Sequence, residues 1–403
     1  MKSLSRYGLI GCVALVLLVG CTTTTHKSTD ITPLQYQNSE VKEAQLMDVG
    51  VIVFDPGLEE LAEDENAITL PEIRRAESRY MPFVLAQTLQ NNGSWGAVRV
   101  IPAHETVVDV YVGGKILHSD GELLRLEIAV SDASGVQWYS RKYEEKISQY
   151  IYTEGGSSPV EPFQGIYNRI ANDMLAFRQK LSDIKIRQVR QVAALRFARS
   201  FSKEAFSQYL VLDKGGQYRV VRLPPENDPV LQRVQAMRER DYLFIDTLQD
   251  YYSSFALEMQ RPYHEWRRAT YDEVIALREM RSESRNQIIA GAAVILGGII
   301  AAGSSDGSAR AAANVGLIGG GYLIKGGLDK RAESQMHVEA LQELGGSLEA
   351  DIEPRVVELQ DRTVTLTGTV DNQYGQWREI LHEIYVTETG DGLITEKASG
   401  QKQ

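Results

Sequence analysis

The sequence predicts an α+β protein: a small mixed sheet with two helices, followed by a long-helix domain with a glycine-rich helical hairpin and a small C-terminal αββα element. Three observations support this prediction. Residues 46–182 combine short apolar, β-branched runs with two amphipathic helical patterns. Residues 183–287 place most apolar side chains at helical spacing. Residues 288–327 form two apolar segments, rich in glycine and alanine, on either side of a polar turn.

The first domain, residues 46–182, is predicted to have the element order β-α-β-β-β-β-α. Its opening strand, Val49–Phe54, stops at an Asp-Pro-Gly turn. A helix begins at Pro71, because proline is favoured in a first helical turn, and ends at the Asn-Asn-Gly sequence 91–93. We expect this helix and the closing helix to cover one face of the sheet. The remaining predicted elements are the strands Ala97–Ile101, Val107–Gly113, Glu122–Asp132 and Val136–Ile147 and the helix Glu161–Leu181.

The second domain, residues 183–287, is predicted to be helical with one short hairpin, Tyr209–Leu212 and Gln217–Leu223. Asp228 and Pro229 then start a long helix. The apolar seam of this helix fits either a helix-pair core within the chain or a coiled coil between subunits. The helix-pair core is favoured, because fewer than four clean heptads are present. Pro262 is predicted to interrupt the helix and to start another. The seam residues are Ile245, Leu248, Tyr252, Phe255 and Met259.

The N-terminus has the pattern of a secretory signal peptide. Lys2 and Arg6 precede an apolar run that is too short to span a membrane comfortably. The run ends in Leu18-Val19-Gly20-Cys21, which resembles the lipobox of bacterial lipoproteins. The resemblance implies removal of residues 1–20 and attachment of lipid, including palmitate, to Cys21. In this family, Asp directly after the lipidated cysteine favours retention in the inner membrane. This chain has Thr22 at that position, which implies the outer membrane. The alternative is an ordinary cleaved signal with an incidental cysteine.

Composition limits what the mature protein can bind. The chain has 403 residues and a formal net charge of −11; residues 1–20 carry two basic side chains and no acidic one, so their removal leaves −13. Such a chain is not expected to bind nucleic acid or to gain from anionic lipid headgroups. Cys12 and Cys21 are the only cysteines, so the mature chain forms no internal disulfide. The polar, threonine-rich residues 21–45 are predicted to be a tether.

Residues 288–327 resemble a glycine zipper. Small side chains recur every fourth residue, a spacing that lets two helices approach closely. Each apolar segment would be about 25 Å long as a helix, which is short for a typical bilayer but compatible with the thinner bacterial outer membrane. Two interpretations stay open: the hairpin inserts into the bilayer, or it packs inside the protein or an oligomer. The expected helix-packing or membrane-contact residues are Ala293, Gly297, Ala301, Ala312, Gly316 and Gly320.

Two further regions resemble known envelope domains. The order of elements in 46–182 resembles the periplasmic domains of envelope lipoproteins, such as CsgG of curli secretion and the cell-wall synthase activator LpoB, and the N-terminal domain of TolB. In residues 328–390, a helix-strand-strand-helix pattern resembles a BON domain, whose V-x-L-x-G-x-V strand matches residues 364–370. BON domains associate with membranes and envelope partners. Residues 391–403 are predicted to be a loose tail.

Sequence motifs for catalysis are weak. Residues 303–307 match G-x-S-x-G but follow a glycine-rich helix rather than a strand. His264-Glu265 lacks the second histidine of a zinc protease motif. The acid pair Glu144-Glu145 is predicted to be solvated. We therefore expect no catalytic residue, metal, cofactor or small-molecule substrate.

The sequence favours a non-enzymatic outer-membrane lipoprotein, facing the periplasm, that acts in envelope assembly, export or maintenance. Its partners would be the membrane, through Cys21, and further copies of itself or an envelope protein. The alternative is a regulator that docks on a periplasmic cell-wall synthase.

Overall fold

A five-stranded mixed sheet organises the part of the chain that the computed structural model describes: residues 31–37, 41–63, 69–102, 106–148, 150–153, 161–225, 227–283, 339–343, 355–358 and 363–389. The strands of this sheet are β1 (Val49–Ile52), β2 (Val98–Ile101), β3 (Val110–Ser119), β4 (Leu123–Asp132) and β5 (Gln137–Lys146). The helices around it are α1 (Leu58–Glu63), α2 (Pro71–Asn91), α3 (Tyr150–Thr153), α4 (Gln164–Arg178), α5 (Asp183–Phe201) and α6 (Lys203–Phe206). The later elements are the hairpin β6 (Leu210–Leu212) and β7 (Tyr218–Val220), the long helix α7 (Pro229–Glu283), the hairpin β8 (Arg355–Glu358) and β9 (Thr363–Leu366), and the helix α8 (Val370–Thr389).

The sheet has the strand order β2-β1-β3-β4-β5. β1 lies between β2 and β3 and is parallel to both, with Val49 in register with Val98 and Val110. β3, β4 and β5 form an antiparallel meander. The prediction of an α+β fold with a small mixed sheet is confirmed.

Helices α2 and α4 cover one face of the sheet, as the sequence predicts. They pack against one another, and α4 contacts β5 through a 4.7 Å ring stack of Trp138 on Phe177. On the opposite face, the Arg196 guanidinium of α5 lies 5.8 Å from the ring centre of Tyr111. Tyr111 points away from its buried neighbours Val110 and Val112 because side chains alternate along a strand. The core of the described residues is therefore built on both sides of the central strands.

The third strand differs from its prediction. It runs from Val110 to Ser119, whereas the sequence places it at 107–113. Glycine is depleted in strands, so the pair Gly113-Gly114 predicts an end. In the structure this pair lies inside the strand, and a Cβ at Gly114 would lie 2.6 Å from ring carbons of Phe54. The glycine makes room for an aromatic ring rather than for a turn.

The outer edge of β2 is covered by the long helix. The Gln249 side chain accepts a hydrogen bond from the Val100 N–H and donates one to the Val100 carbonyl, both at 2.9 Å. Beside it, Asp246 accepts from Arg99 at 2.6 Å. Unpaired strand edges invite pairing with other chains. Helix α7 removes that possibility at β2.

Helix α7 has 55 residues and continues through Pro262, so the prediction of two helices is wrong. Proline lacks the N–H of a normal helical hydrogen bond, which costs about 3 kcal/mol in isolation. Here Met259, Tyr263 and Trp266 are buried on both sides of the proline, and their packing holds one helix. The seam residues Ile245, Leu248 and Tyr252 are at most 1% exposed, so the seam is buried within this chain.

The first described residues, 31–37, lie against α4 and α2. The Asn168 and Asn172 side chains donate to the carbonyls of Thr32 and Pro33, at 2.8 and 3.0 Å. The Gln37 N–H donates to the Asn92 carbonyl at 3.1 Å. Part of the predicted tether, residues 21–45, is therefore attached to the folded body.

At the C-terminal end, β8 and β9 form the predicted antiparallel hairpin, and α8 follows. The predicted second strand is too long, because β9 ends at Leu366. Gly368 has a φ of +93°, which ends the strand, and Val370 already begins α8. The G-x-V half of the V-x-L-x-G-x-V pattern, residues 368–370, thus forms a turn and the first residue of a helix rather than a strand.

Several predicted features lie outside the described residues. They are the signal peptide and Cys21, the G-x-S-x-G sequence, and the whole glycine-rich segment 288–327 with its six small residues. None of the helices in the described ranges combines the length and apolar character needed to cross a membrane. The predictions on these segments stay predictions.

Gly121 tests how closely α7 approaches the β3–β4 turn. A Cβ there would lie 2.8 Å from the Tyr271 Cα and would overlap the Arg267 carbonyl oxygen. We expect Gly121→Ala to lower the free energy of unfolding by about 3 kcal/mol, because a helix backbone must move to relieve the overlap. Gly113→Ala is the control, since its Cβ would meet nothing within 4 Å. Urea unfolding that shows equal midpoints for the two variants would contradict this packing.

Candidate functional site: buried charges beneath the long helix

A buried ion pair joins the long helix to the sheet body. Arg267 of α7, fully buried, donates through Nη1 to Glu161, which precedes α4, and through Nη2 to the Tyr263 hydroxyl. The Tyr80 hydroxyl of α2 donates to the second oxygen of Glu161 at 2.9 Å. The Arg267 guanidinium also lies 4.7 Å from the ring centre of Phe163. The cation thus binds the segment before α4 directly, and Glu161 links it to α2 through Tyr80.

Glu77 of α2 extends this network towards the sheet. Its Oε1 accepts hydrogen bonds from Ser119 Oγ of β3 and from the Tyr263 hydroxyl, both at 2.5 Å. Its Oε2 lies 3.3 Å from Arg74 Nε. Arg74 in turn donates to the Ile116 carbonyl at 3.3 Å. A buried charge is tolerated only when its partners replace the water it has lost. Ser119 and Tyr263 do so at Glu77 Oε1, whereas Oε2 has the charge of Arg74 nearby but accepts no hydrogen bond from the described residues.

The electrostatics of the network favour one protonation state. Burial alone would lower the pKa of Arg267, but the charge of Glu161 raises that pKa well above its ordinary value. Burial raises the pKa of Tyr263 and Tyr80, so both hydroxyls remain protonated and able to donate. Arg267 and the two hydroxyls are therefore fixed hydrogen-bond donors in the network.

A second cluster lies where β1 and β3 begin. Asp109 Oδ2 accepts from the Asp48 N–H at 2.9 Å and lies 3.9 Å from Arg190 Nε of α5. Arg238 of α7 donates to the Tyr242 hydroxyl at 2.6 Å and adds positive charge near Asp109. Burial raises the pKa of Asp109 to about 6. The hydrogen bond from the Asp48 N–H and the charges of Arg238 and Arg190 lower this pKa but do not cancel the effect of burial.

One turn further along α7, Asp241 joins the helix to α8. Its Oδ2 lies 3.3 Å from the Tyr374 hydroxyl and 3.5 Å from Arg378 Nη1. Burial raises the pKa of Asp241 to about 6, and the charge of Arg378 opposes that rise. The same helix is therefore held by charged groups near Asp109, directly before β3 of the sheet, and by contacts to α8.

These clusters hold the fold together, and their chemistry suits that role. The carboxylates of Glu77, Glu161 and Asp109 accept hydrogen bonds from groups of the chain itself. Among the residues that the structure describes, no set of three or more His, Cys, Asp and Glu side chains is arranged to hold a metal ion. We therefore interpret the clusters as contacts that fix the position of α7.

The sequence did not predict these residues. Glu77 shares a helix face with Ile73 and Met81, and Arg267 shares one with Tyr263 and Tyr271; charged residues at such positions are the local signal. Glu145, predicted to be solvated together with Glu144, is buried and lies 3.7 Å from Arg169. The prediction holds only for Glu144, which is 56% exposed.

Removal of Arg267 should be costly. In Arg267→Met, Glu161 stays buried without its cation, and we expect the free energy of unfolding to fall by about 3–5 kcal/mol. Arg268→Ala is the control, because its guanidinium is 59% exposed and lies 3.6 Å from Glu265 at the surface of the same helix. In the double variant Glu161→Leu/Arg267→Met, part of the loss should be recovered, since no buried charge is left alone.

Denaturant unfolding of the parent and these three variants checks the assignment. Equal losses of unfolding free energy in Arg267→Met and in Arg268→Ala would contradict it.

The raised pKa values predict a pH dependence of stability. A carboxyl group whose pKa is higher in the folded state stabilises the fold when protonated, and this contribution is lost as the pH rises from about 4 to about 6. For Asp241 the loss should be at most about 2–3 kcal/mol, given the rise to about 6. Asp241→Asn should flatten the curve of unfolding free energy against pH in this interval. Asp250→Asn, at a surface position of the same helix, is the control, and an unchanged curve in Asp241→Asn would disprove the assignment.

Comparison of the chain with protein-family models, with curated proteins and with solved structures gives no match. The function must therefore be argued from the residues and contacts of the chain itself.

Proposed function

We propose that this chain is a non-enzymatic lipoprotein of the bacterial outer membrane that faces the periplasm and acts in the assembly, export or maintenance of the cell envelope. The observation that carries the proposal is the sequence Leu18-Val19-Gly20-Cys21 after Lys2, Arg6 and an apolar run. Lipid on Cys21 would hold the acidic body at a membrane that it would otherwise leave. Self-association and membrane contact through residues 288–327 belong to the same proposal.

The contacts of residues 31–37 limit the distance between the folded body and a lipid anchor at Cys21. Thr32 already lies against α4, and it follows Cys21 by eleven residues. A fully extended chain of that length spans at most about 37 Å. The folded body would therefore stay within a few tens of ångströms of the membrane surface rather than reach far into the periplasm.

The buried charges give the folded body a rigid framework. The acids Glu77 and Glu161 and the bases Arg74 and Arg267 are held in the core, where they fix the helices to the sheet. Strand β5 also presents exposed polar side chains, including Ser140, Lys142 and Glu144. That arrangement offers a surface for another protein on a rigid support.

The alternative proposal is a regulator that docks on a periplasmic cell-wall synthase. It needs the same anchor, and the exposed polar side chains of β5 would be its docking surface. A crosslink from an unnatural photoreactive residue at Ser140 to such an enzyme in intact cells would favour this alternative over self-association.

The anchor can be tested with a matched pair of cysteine variants. Cys21→Ser removes the sulfur that would carry the lipid, and we expect the protein to move from the outer-membrane fraction to the soluble periplasmic fraction. Cys12→Ser is the control, because this residue lies within the apolar run, outside the lipobox, and its variant should stay in the membrane. Fractionation followed by mass measurement of the N-terminal peptide checks both. If Cys21→Ser remains in the outer membrane, the proposed function is wrong.

A further inference from the structure

The β6–β7 hairpin carries an unusual concentration of exposed aliphatic side chains. Of the nine large hydrophobic residues that are exposed in the described part of the chain, four lie within residues 211–223. We refer to three of them, Val211, Val221 and Leu223, as the apolar hairpin surface, because Leu212 points to the opposite face of the strand from Val211. Clustered exposed apolar side chains mark a site of interaction with a partner or a membrane. The four and their exposures are Val211 (46%), Leu212 (50%), Val221 (61%) and Leu223 (54%).

The face of the hairpin that carries Leu210 and Tyr218 packs on the body. Leu210, opposite Val220 in the ladder, is 1% exposed, and the Arg196 guanidinium of α5 lies 4.9 Å from the Tyr218 ring centre. The Tyr218 N–H donates to the Ser134 carbonyl at 2.8 Å. Val211, its partner Arg219 and Val221 lie on the other face of the ladder, since side chains alternate along a strand. Leu212 is exposed, but it shares the face of Leu210 and Tyr218. The apolar hairpin surface is therefore presented on a fixed support.

The hairpin is basic although the chain is acidic. Residues 209–223 contain three basic side chains and one acidic one. Arg219 lies opposite Val211 and is 75% exposed, with Asp213 at 3.7 Å. Arg222 donates to Gln208 and lies 5.2 Å from the Tyr209 ring centre, and the third basic residue is Lys214 in the turn. Aliphatic side chains bordered by arginine and lysine match the boundary between acyl chains and anionic headgroups.

The hairpin lies at the end of the sheet to which residues 31–37 lead. The hairpin contacts Ser134, which comes two residues after Asp132. Asp132 pairs with Val110, the first residue of β3, so Ser134 lies at the end of the sheet where β1, β2 and β3 begin. Gln37 contacts Asn92 at the same end, since Gln90, two residues earlier, accepts a hydrogen bond from the Val98 N–H at the start of β2. Because Thr32 is already bound to α4, the chain between Cys21 and the folded body can span at most about 37 Å when extended. A lipid anchor at Cys21 is thus compatible with contact between the hairpin and the same membrane.

We propose that residues 209–223 dock on an anionic lipid surface and place the apolar hairpin surface at the boundary of the headgroups and acyl chains. The proposal rests on the proposed function, in which Cys21 is anchored to that surface. The hairpin then sets which side of the body faces the membrane, and the exposed side chains of β5 are left for a protein partner.

The first experiment measures the depth of single side chains. Cys12 is removed with the signal and Cys21 carries the lipid, so Val211→Cys, on the outer face of the hairpin, supplies the one free thiol of the mature protein. The lipidated variant is labelled with an environment-sensitive fluorophore and reconstituted in vesicles of phosphatidylethanolamine and phosphatidylglycerol that contain a nitroxide-labelled lipid. We expect a blue-shifted emission and a marked loss of intensity from the nitroxide. The control is Leu257→Cys on α7, which is 69% exposed and far from the hairpin in sequence, and its label should stay unquenched.

The second experiment measures the contribution of charge. In the unlipidated Cys21→Ser background, partition into vesicles that contain phosphatidylglycerol should fall about fivefold for each basic residue removed, in Lys214→Gln and in Arg219→Gln. Partition into purely zwitterionic phosphatidylcholine vesicles should stay unchanged. Equal partition of the parent and both variants into the anionic vesicles would overturn the proposal.

Other outcomes separate this inference from the proposed function. If no variant floats with the reconstituted vesicles, the anchor is absent and the proposed function fails. If the variants float but labels at 211 and 257 behave alike, only the hairpin inference fails. If the 211 label is shielded without vesicles and only at high protein concentration, the hairpin binds a second copy of the chain and the lipid inference is wrong.

Discussion

The burial of Arg267 is the constraint on which the described fold depends. A guanidinium removed from water is stable only when its charge and its donors are matched inside the protein. Glu161 supplies the charge, the Tyr263 hydroxyl accepts a hydrogen bond, and the Phe163 ring covers the guanidinium. Because these groups come from the start of α4 and from α7, and because Tyr263 also binds Glu77 of α2, one buried cation fixes three helices relative to each other.

The same helix is held again near its other end, at Arg238 and Asp241. These residues lie 29 and 26 positions before Arg267, a distance of about 40 Å along a helix. A helix attached at two such distant points cannot bend at its middle without disturbing both clusters. This explains why Pro262, which would end an isolated helix, lies within a continuous one, and why the seam residues between the clusters are buried inside the chain.

Much of the secondary structure could be predicted because its signals are local. The proline at position 71 and the alternation in β4 indicated the helix and strand almost to the residue. The errors have one cause: Gly113-Gly114, Pro262 and Gly368 were interpreted without knowledge of the packing around them. The buried clusters could not be predicted, since Glu161 and Arg267 are 106 residues apart and periodicity assigns charged residues to solvent. The predicted lipidation and helix-packing residues lie outside the described ranges and stay predictions.

Net charge and local charge lead to different conclusions about lipid binding. A chain with a formal charge of −11 should avoid anionic headgroups, and that conclusion holds for the protein as a whole. At physiological ionic strength, however, exposed charges interact over only about 8 Å. The hairpin at 209–223 has a local excess of basic side chains, and its contact with a membrane depends on those neighbours more than on distant acids. The remaining acidic surface would then favour an orientation with the hairpin towards the lipid and the acidic regions away from it.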